Sequence, residues 1–209
     1  MAAIKKFTIP SAPSLIGRHL RAARRQARVG EIESPIGRLF FAESDRGLAA
    51  IHFLDVETGE RTLERLRRKF ELEENEPAAR KFAAEIRRYL RGDFSEMDRP
   101  LDLSLIESDF QRRSSERLRK VPPGSVISYA ALAAAIGHPD SQRAIGNTMA
   151  SNPVPIFVPC HRVVRSDGSL GNYGGGVSAK AKLLRIEGVE IDRDMRVVPW
   201  SPAGRGDNW

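Results

Sequence analysis

One cysteine among 209 residues gives Cys160 no partner within the chain. A disulfide-stapled secreted scaffold is therefore excluded and a reducing compartment is expected. No apolar run approaches the roughly 18–20 residues a membrane-spanning helix needs. The four histidines, His19, His52, His138 and His161, form no i, i+3 or i, i+4 pair, and there is no CxxC. No metal site is expected on that spacing. Neither GxGxxG nor GxxxxGK[ST] occurs, so no nucleotide cofactor is expected either. Internal repeats and low-complexity tracts are absent, and no apolar segment followed by a small-residue cleavage site suggests a secretory signal.

The first 30 residues lack acid altogether and hold seven basic residues, which equals the net charge of +7 for the whole chain. Residues 31–100 carry 13 basic and 16 acidic side chains, residues 101–190 carry 11 and 8, and the last 19 balance. A sequence pI near 10 fits an anionic partner, nucleic acid first. Residues 1–28 read as a basic, flexible arm. An apolar stripe at Ile16, Leu20, Ala23 and Ala27 would also suit a helix on an anionic surface, and the composition is that of a transit peptide.

The remainder divides at turn signals into a scaffold domain over 29–98, a second domain over 99–190 and a tail over 191–209. In the scaffold domain, 31–33 and 38–43 read as strands around Ser34-Pro35-Ile36-Gly37, and 48–54 follows the turn Asp45-Arg46-Gly47 as a third. Leu63, Leu66 and Phe70 recur at helical spacing, as do Phe82, Ile86, Tyr89 and Leu90 behind Pro77. In the second domain helices are predicted over 110–121, 129–136, 141–150 and 180–187. Helices 129–136 and 141–150, joined by Gly137-His138-Pro139-Asp140, have a helix-turn-helix outline. The fold class is thus α/β (α+β): a small N-terminal α/β domain with a short sheet, then a mostly helical, winged helix-turn-helix-like domain.

Ala144, Gly146, Thr148 and Ala150 make the 141–150 helix small-sided. A major-groove reading helix wants Arg, Asn or Gln at base edges, so this one suits the minor groove or close packing. Beyond it an apolar strand over 156–158 is predicted to deliver Pro159, Cys160 and His161. A free cysteine is more often buried structure than nucleophile. Pro159 and the polar pair His161-Arg162 weigh against that here, because a cationic or hydrogen-bonding neighbour raises the thiolate fraction. Glycines 168, 171, 174, 175 and 176 surround Tyr173 and allow close backbone approach to a flat ligand. Glu187, in a mostly apolar helical run, could complete a Cys–His–Glu relay.

These residues resemble the O6-alkylguanine-DNA alkyltransferase family. The resemblance rests on Asn152-Pro153, Pro159-Cys160-His161-Arg162-Val163 and Gly171-Asn172-Tyr173-Gly174-Gly175-Gly176. It extends to Phe110-Gln-Arg-Arg, Gly124-Ser-Val-Ile-Ser-Tyr129, Arg143-Ala-Ile-Gly-Asn and Leu183-Leu-Arg-Ile-Glu187-Gly, and spans about residues 29–190.

The resemblance implies DNA repair by stoichiometric transfer of an alkyl group from O6-methylguanine, and from O4-methylthymine, to Cys160 after the base leaves the stack. It implies a monomer acting on double-stranded DNA in the cytoplasm, at the nucleoid, without cofactor, membrane or obligate protein partner. An organelle address in the basic arm is the other localisation. Cys160 would be the acceptor, Glu187 would orient His161 as base, and Asn152 would organise the turn before the active-site strand. Tyr129, Pro155, Val163, Tyr173 and Gly174 would bind the base, with Tyr129 donating toward N3. Arg143, Ala144, Gly146, Met149 and Arg162 would meet the DNA, Arg143 as a finger in the duplex. The alternatives are a non-enzymatic alkyltransferase-like lesion binder, which would lack the acceptor thiol, and a helix-turn-helix transcription regulator. The phosphotriester-repair cysteine and regulator role of larger bifunctional relatives have no counterpart among these residues, nor do the zinc ligands of some eukaryotic members. Ser114-Ser115 stands where the family commonly has Val-Trp; if these positions face the core, the lost aromatic would cost about 3–5 kcal/mol.

Overall fold

The apolar runs 39–42 and 48–51 are continuous rather than alternating, the pattern of strands covered on both faces. The computed structural model, which describes residues 24–56 and 59–200, places them in neighbouring strands of a four-stranded sheet. Its strands are β1 (Arg25–Ser34), β2 (Gly37–Ser44), β3 (Gly47–Phe53) and β4 (Phe70–Glu74), in the order β3-β2-β1-β4. The hairpins β1–β2 and β2–β3 are antiparallel, whereas β4 joins β1 in parallel. Helix α1 (Gly59–Lys69) and α2 (Glu76–Leu90) cover opposite faces. Leu66 packs with Phe40, Ala42 and Phe70 on one side, and Phe82 stacks on Phe41 at 4.7 Å on the other. Asn75 begins α2 by accepting the Ala78 amide at 2.9 Å, with Pro77 in the first turn, where its missing N–H costs nothing.

The structure corrects three boundaries. Phe70, expected to extend a helix, opens β4 instead: the 63, 66, 70 spacing fits a helix, but Phe70 is buried in the sheet core against β1. The basic arm, expected to reach residue 28, ends earlier, because residues 25–28 are already strand. Ala27 is buried, and Arg25 pairs with Asp45 and with Asp102 at 2.9 Å. Ile16, Leu20 and Ala23 lie outside the described residues. The tail expected from residue 191 is folded as far as residue 200. Ile191 bridges Val197, Ser169 bridges Arg196, and Trp200 donates its indole N–H to Ser166 at 3.0 Å.

Helices α3 (Asp109–Arg119), α4 (Tyr129–Ala135), α5 (Gln142–Ala150) and α6 (Gly176–Ile186) form the second domain. Short parallel strands β5 (Ile127–Ser128) and β6 (Val163–Val164) tie it together. Ser108 and Ser128 cap α3 and α4 by accepting the Gln111 and Ala131 amides. Ser114 and Ser115 do face the core, both almost fully buried, and the Ser114 hydroxyl donates to Phe110 O at 2.8 Å. The domains meet along one continuous apolar core, with Phe53 edge-on to Tyr173 at 5.6 Å and Ile51 N donating to Pro153 O at 2.8 Å. Arg99, at the start of the second domain, is half-buried between Glu43 and Glu85 and lies over the Phe157 ring.

Candidate active site

Residues 151–159 leave α5 and turn back to deliver Cys160. The expected strand over 156–158 is a tight loop instead, held by the single bridge Pro155–Val158 and by Val158 N donating to Val154 O. Ile156 adopts φ 78°, a left-handed conformation a β-branched residue rarely takes. Asn152 holds this geometry: its Oδ1 accepts the Val154 amide at 3.0 Å, and its Nδ2 donates to Val158 O at 2.8 Å and to Cys160 Sγ at 3.1 Å. Cys160, His161 and Arg162 then form one 3₁₀ turn, so side chains adjacent in sequence fan out rather than alternate.

Cys160, 6% exposed, lies at a cavity of about 700 Å³. Tyr129, Arg143, Gly146, Met149, Tyr173 and Gly174 line it, so seven of the residues expected to act are brought together there, Cys160 included. Ala144 is exposed on α5 but outside the lining. Pro155 and Val163 are buried behind it, and the Val163 carbonyl accepts Lys180 Nζ at 2.5 Å.

Arg162 is not at the DNA face. It is 3% exposed; its guanidinium forks onto Glu187, with Nε to Oε2 at 2.9 Å and Nη2 to Oε1 at 2.8 Å, and also donates to Val121 O. A basic residue beside a nucleophile looks like a DNA contact in sequence. The buried carboxylate explains it better.

Glu187 caps α6 and is buried. Burial alone would raise its carboxyl, but His161 and Arg162 outweigh it and hold the group down at about 2. Its Oε1 lies 2.8 Å from His161 Nε2. His161 is fully buried; burial keeps its imidazole below the ordinary value despite Glu187, and its Nδ1 has no partner among the described residues. Burial likewise pushes the Cys160 thiol up, against the Asn152 amide and Lys180.

Two residues escape a reading of the sequence. Lys180 is fully buried in α6, donates to the Val163 and Leu170 carbonyls, and is lowered by burial to about 8. Its only signal is a lysine among Ala179, Ala181, Leu183 and Leu184. Tyr89, from α2 of the first domain, donates its hydroxyl to Glu187, and no local pattern announces such a contact.

Residues 28–103 match the family model "6-O-methylguanine DNA methyltransferase, ribonuclease-like domain", and residues 109–189 match its "DNA binding domain". The chain is 37% identical over 156 residues to a methylated-DNA–protein-cysteine methyltransferase of Mycolicibacterium paratuberculosis, covering 75% of this chain and 89% of that one. It is 39% identical over 160 residues to the bifunctional transcriptional activator/DNA repair enzyme Ada of Escherichia coli, covering 76% of this chain but spanning only 44% of Ada. The crystal structure of Mycobacterium tuberculosis OGT in complex with DNA superposes with a TM-score of 0.65 at 33% identity, over 78% of this chain and 92% of that one. With both domain models matched in order across the two domains described above, the chain belongs to the methylated-DNA–protein-cysteine methyltransferase family.

Proposed function

We propose that the protein repairs DNA by moving the alkyl group of O6-methylguanine onto Cys160, once per molecule. The carrying observation is a nucleophile at the cavity with a hydrogen-bond donor on its sulfur, followed directly in the chain by a histidine paired with a buried carboxylate. Sγ attacks the alkyl carbon; the S–C bond forms as the C–O6 bond breaks, and the electron pair passes into the guanine ring. Burial favours the neutral thiol, so the proton must leave as attack begins. His161, with one bare ring nitrogen, accepts it through a water. Tyr129, in the cavity wall, donates to N3 and stabilises the leaving guanine. The thioether has no route back, which makes the reaction stoichiometric.

A base can reach Cys160 only outside the stack. The exposed side of α5 supports that approach: Ala144 and Ala150 are short, and none of the described residues comes within 4 Å of where a side chain on Gly146 would begin. Arg143 is exposed at the cavity rim, placed to occupy the gap left in the duplex. Acceptor, relay and DNA face lie in one chain, which supports action as a monomer.

The test is incubation with a duplex containing O6-methylguanine, then mass spectrometry of the Cys160 peptide. One methyl group gained, and none in Cys160→Ser, is the expected result. Tight lesion binding with an unmodified peptide would make the protein a lesion binder instead.

A further inference from the structure

A tyrosine of the first domain hydrogen-bonds into the reacting centre. Tyr89 is 3% exposed, and its hydroxyl lies within hydrogen-bond distance of Glu187 Oε1 and 3.2 Å from His161 Nε2. We infer that Tyr89 is a positioning residue for the acceptor site, its hydroxyl fixing the Glu187 carboxylate and the tautomer in which His161 keeps Nδ1 unprotonated. This rests on the alkyl-transfer reading of Cys160 and extends it to the domain that otherwise serves as scaffold.

Counting protons leads to the assignment. Tyr89 O, His161 Nε2 and Glu187 Oε1 form a triangle of hydrogen-bond contacts. The carboxylate is ionised and can only accept. If Nε2 were bare, its lone pair would face Oε1 at 2.8 Å, and the single phenolic proton would have to serve both. With a proton on Nε2, both donors point at Oε1, and the longer Tyr89–Nε2 edge needs no proton of its own. The neutral imidazole then carries its free lone pair on Nδ1, the atom without a partner among the described residues. Arg162 completes the shell, donating to both carboxylate oxygens. Tyr89 thus supplies one of the three side-chain donors on Oε1.

The consequence is a change in basicity. Each donor on Glu187 draws charge away from the oxygen that stabilises imidazolium. Without the phenol, Oε1 attracts the Nε2 proton more strongly, and His161 takes up its second proton at higher pH. Glu187, at the end of α6, is the group that loses a donor; the others facing His161 keep theirs: Cys160 and Arg162 on its own turn, Lys180 on α6, and Tyr173, whose ring centre is 6.3 Å away. Tyr89→Phe keeps the ring that packs edge-on against Phe94 at 5.4 Å, so the hydroxyl alone is removed.

The experiment is a ¹⁵N-histidine NMR titration of the free protein, paired with the pH profile of single-turnover transfer from an O6-methylguanine duplex. Tyr89→Phe is expected to move the His161 titration and the acid limb of transfer upward together, by about half a pH unit. Saturating transfer should slow about three- to tenfold. An unshifted titration and limb would mean that the phenol only fills its site, and the inference would fall. Should Tyr89→Phe not fold, 3-fluorotyrosine placed at 89, a stronger donor, should move the titration the other way; no movement there overturns the inference equally. The NMR arm needs no alkyl transfer, so a wild-type protein that takes up no methyl group would sink the proposed function while leaving this test intact.

Discussion

The side-chain amide of Asn152 lies 3.1 Å from the sulfur of Cys160, eight residues further along, and the same nitrogen donates to the Val158 carbonyl at 2.8 Å. One side chain therefore closes the loop that delivers the nucleophile and also donates to it. A hydrogen bond to a charged group contributes about 1.5–3 kcal/mol. Asn152→Ala is expected to raise the Cys160 titration and slow methyl transfer by roughly ten- to a hundredfold. The pH dependence of iodoacetamide alkylation reports the first effect, and single-turnover kinetics the second. An unchanged thiol titration would leave Asn152 a purely structural brace.

Two arginines near the site separate by burial. Arg162 is enclosed and forked onto Glu187, whereas Arg143 is exposed at the rim of the cavity. Removing one partner of a buried ion pair typically costs about 3–5 kcal/mol. Arg162→Ala should therefore lower the melting temperature by on the order of 10 °C. Arg143→Ala should leave stability within about 0.5 kcal/mol yet weaken binding to a lesion-containing duplex. Calorimetry and fluorescence anisotropy on the two variants distinguish these roles, and equal stabilities would refute the division.

Much of this was legible locally. Pro77 at a helix start and the turns at 34–37 and 45–47 each carry their own chemistry within four residues, and their elements form close to where the sequence places them. Strand β4 was hidden because Glu71, Glu73 and Glu74 do not look like a strand; it is made by parallel pairing with β1, some 45 residues earlier. Cys160, His161, Glu187 and Asn152 could be named from their motif, with the pairing of Glu187 and His161, but the buried fork of Arg162 on that carboxylate could not. Tyr89 and Lys180 lie beyond local reasoning, since each becomes functional only through residues brought to it by the fold.

The buried relay also sets an acid limit on stability. His161 titrates below its ordinary 6.5 when folded because burial disfavours the imidazolium. The unfolded chain therefore takes up that proton first, and stability falls as pH drops below 6.5. Glu187 has the same sign: held at about 2 against an ordinary 4.5, it contributes fully above 4.5, and that contribution is lost as pH falls toward 2. The melting temperature should thus decline below pH 6.5 and decline again below 4.5. A flat profile between those two values would mean that His161 protonates without disturbing the fold.

Gly174 and Gly175 are adjacent and do different work. A side chain begun on Gly175 would come within 2.7 Å of the Phe53 ring, whereas none of the described residues comes within 4 Å of one begun on Gly174. Phe53 belongs to the first domain and packs edge-on against Tyr173, so the bare backbone at 175 lets the domains close and sets the cavity wall. Gly175→Ala has to push that ring aside, an overpacking cost of about 1–3 kcal/mol, and should shift Tyr173 and slow transfer of every alkyl group alike. Gly174→Ala should leave stability nearly unchanged while narrowing the cavity, so transfer from a bulky O6-benzyl group should fall more than transfer from O6-methyl. Melting curves paired with single-turnover rates on both substrates check this. Equal losses on the two substrates in Gly174→Ala would show that the wall at 174 does not limit the alkyl group.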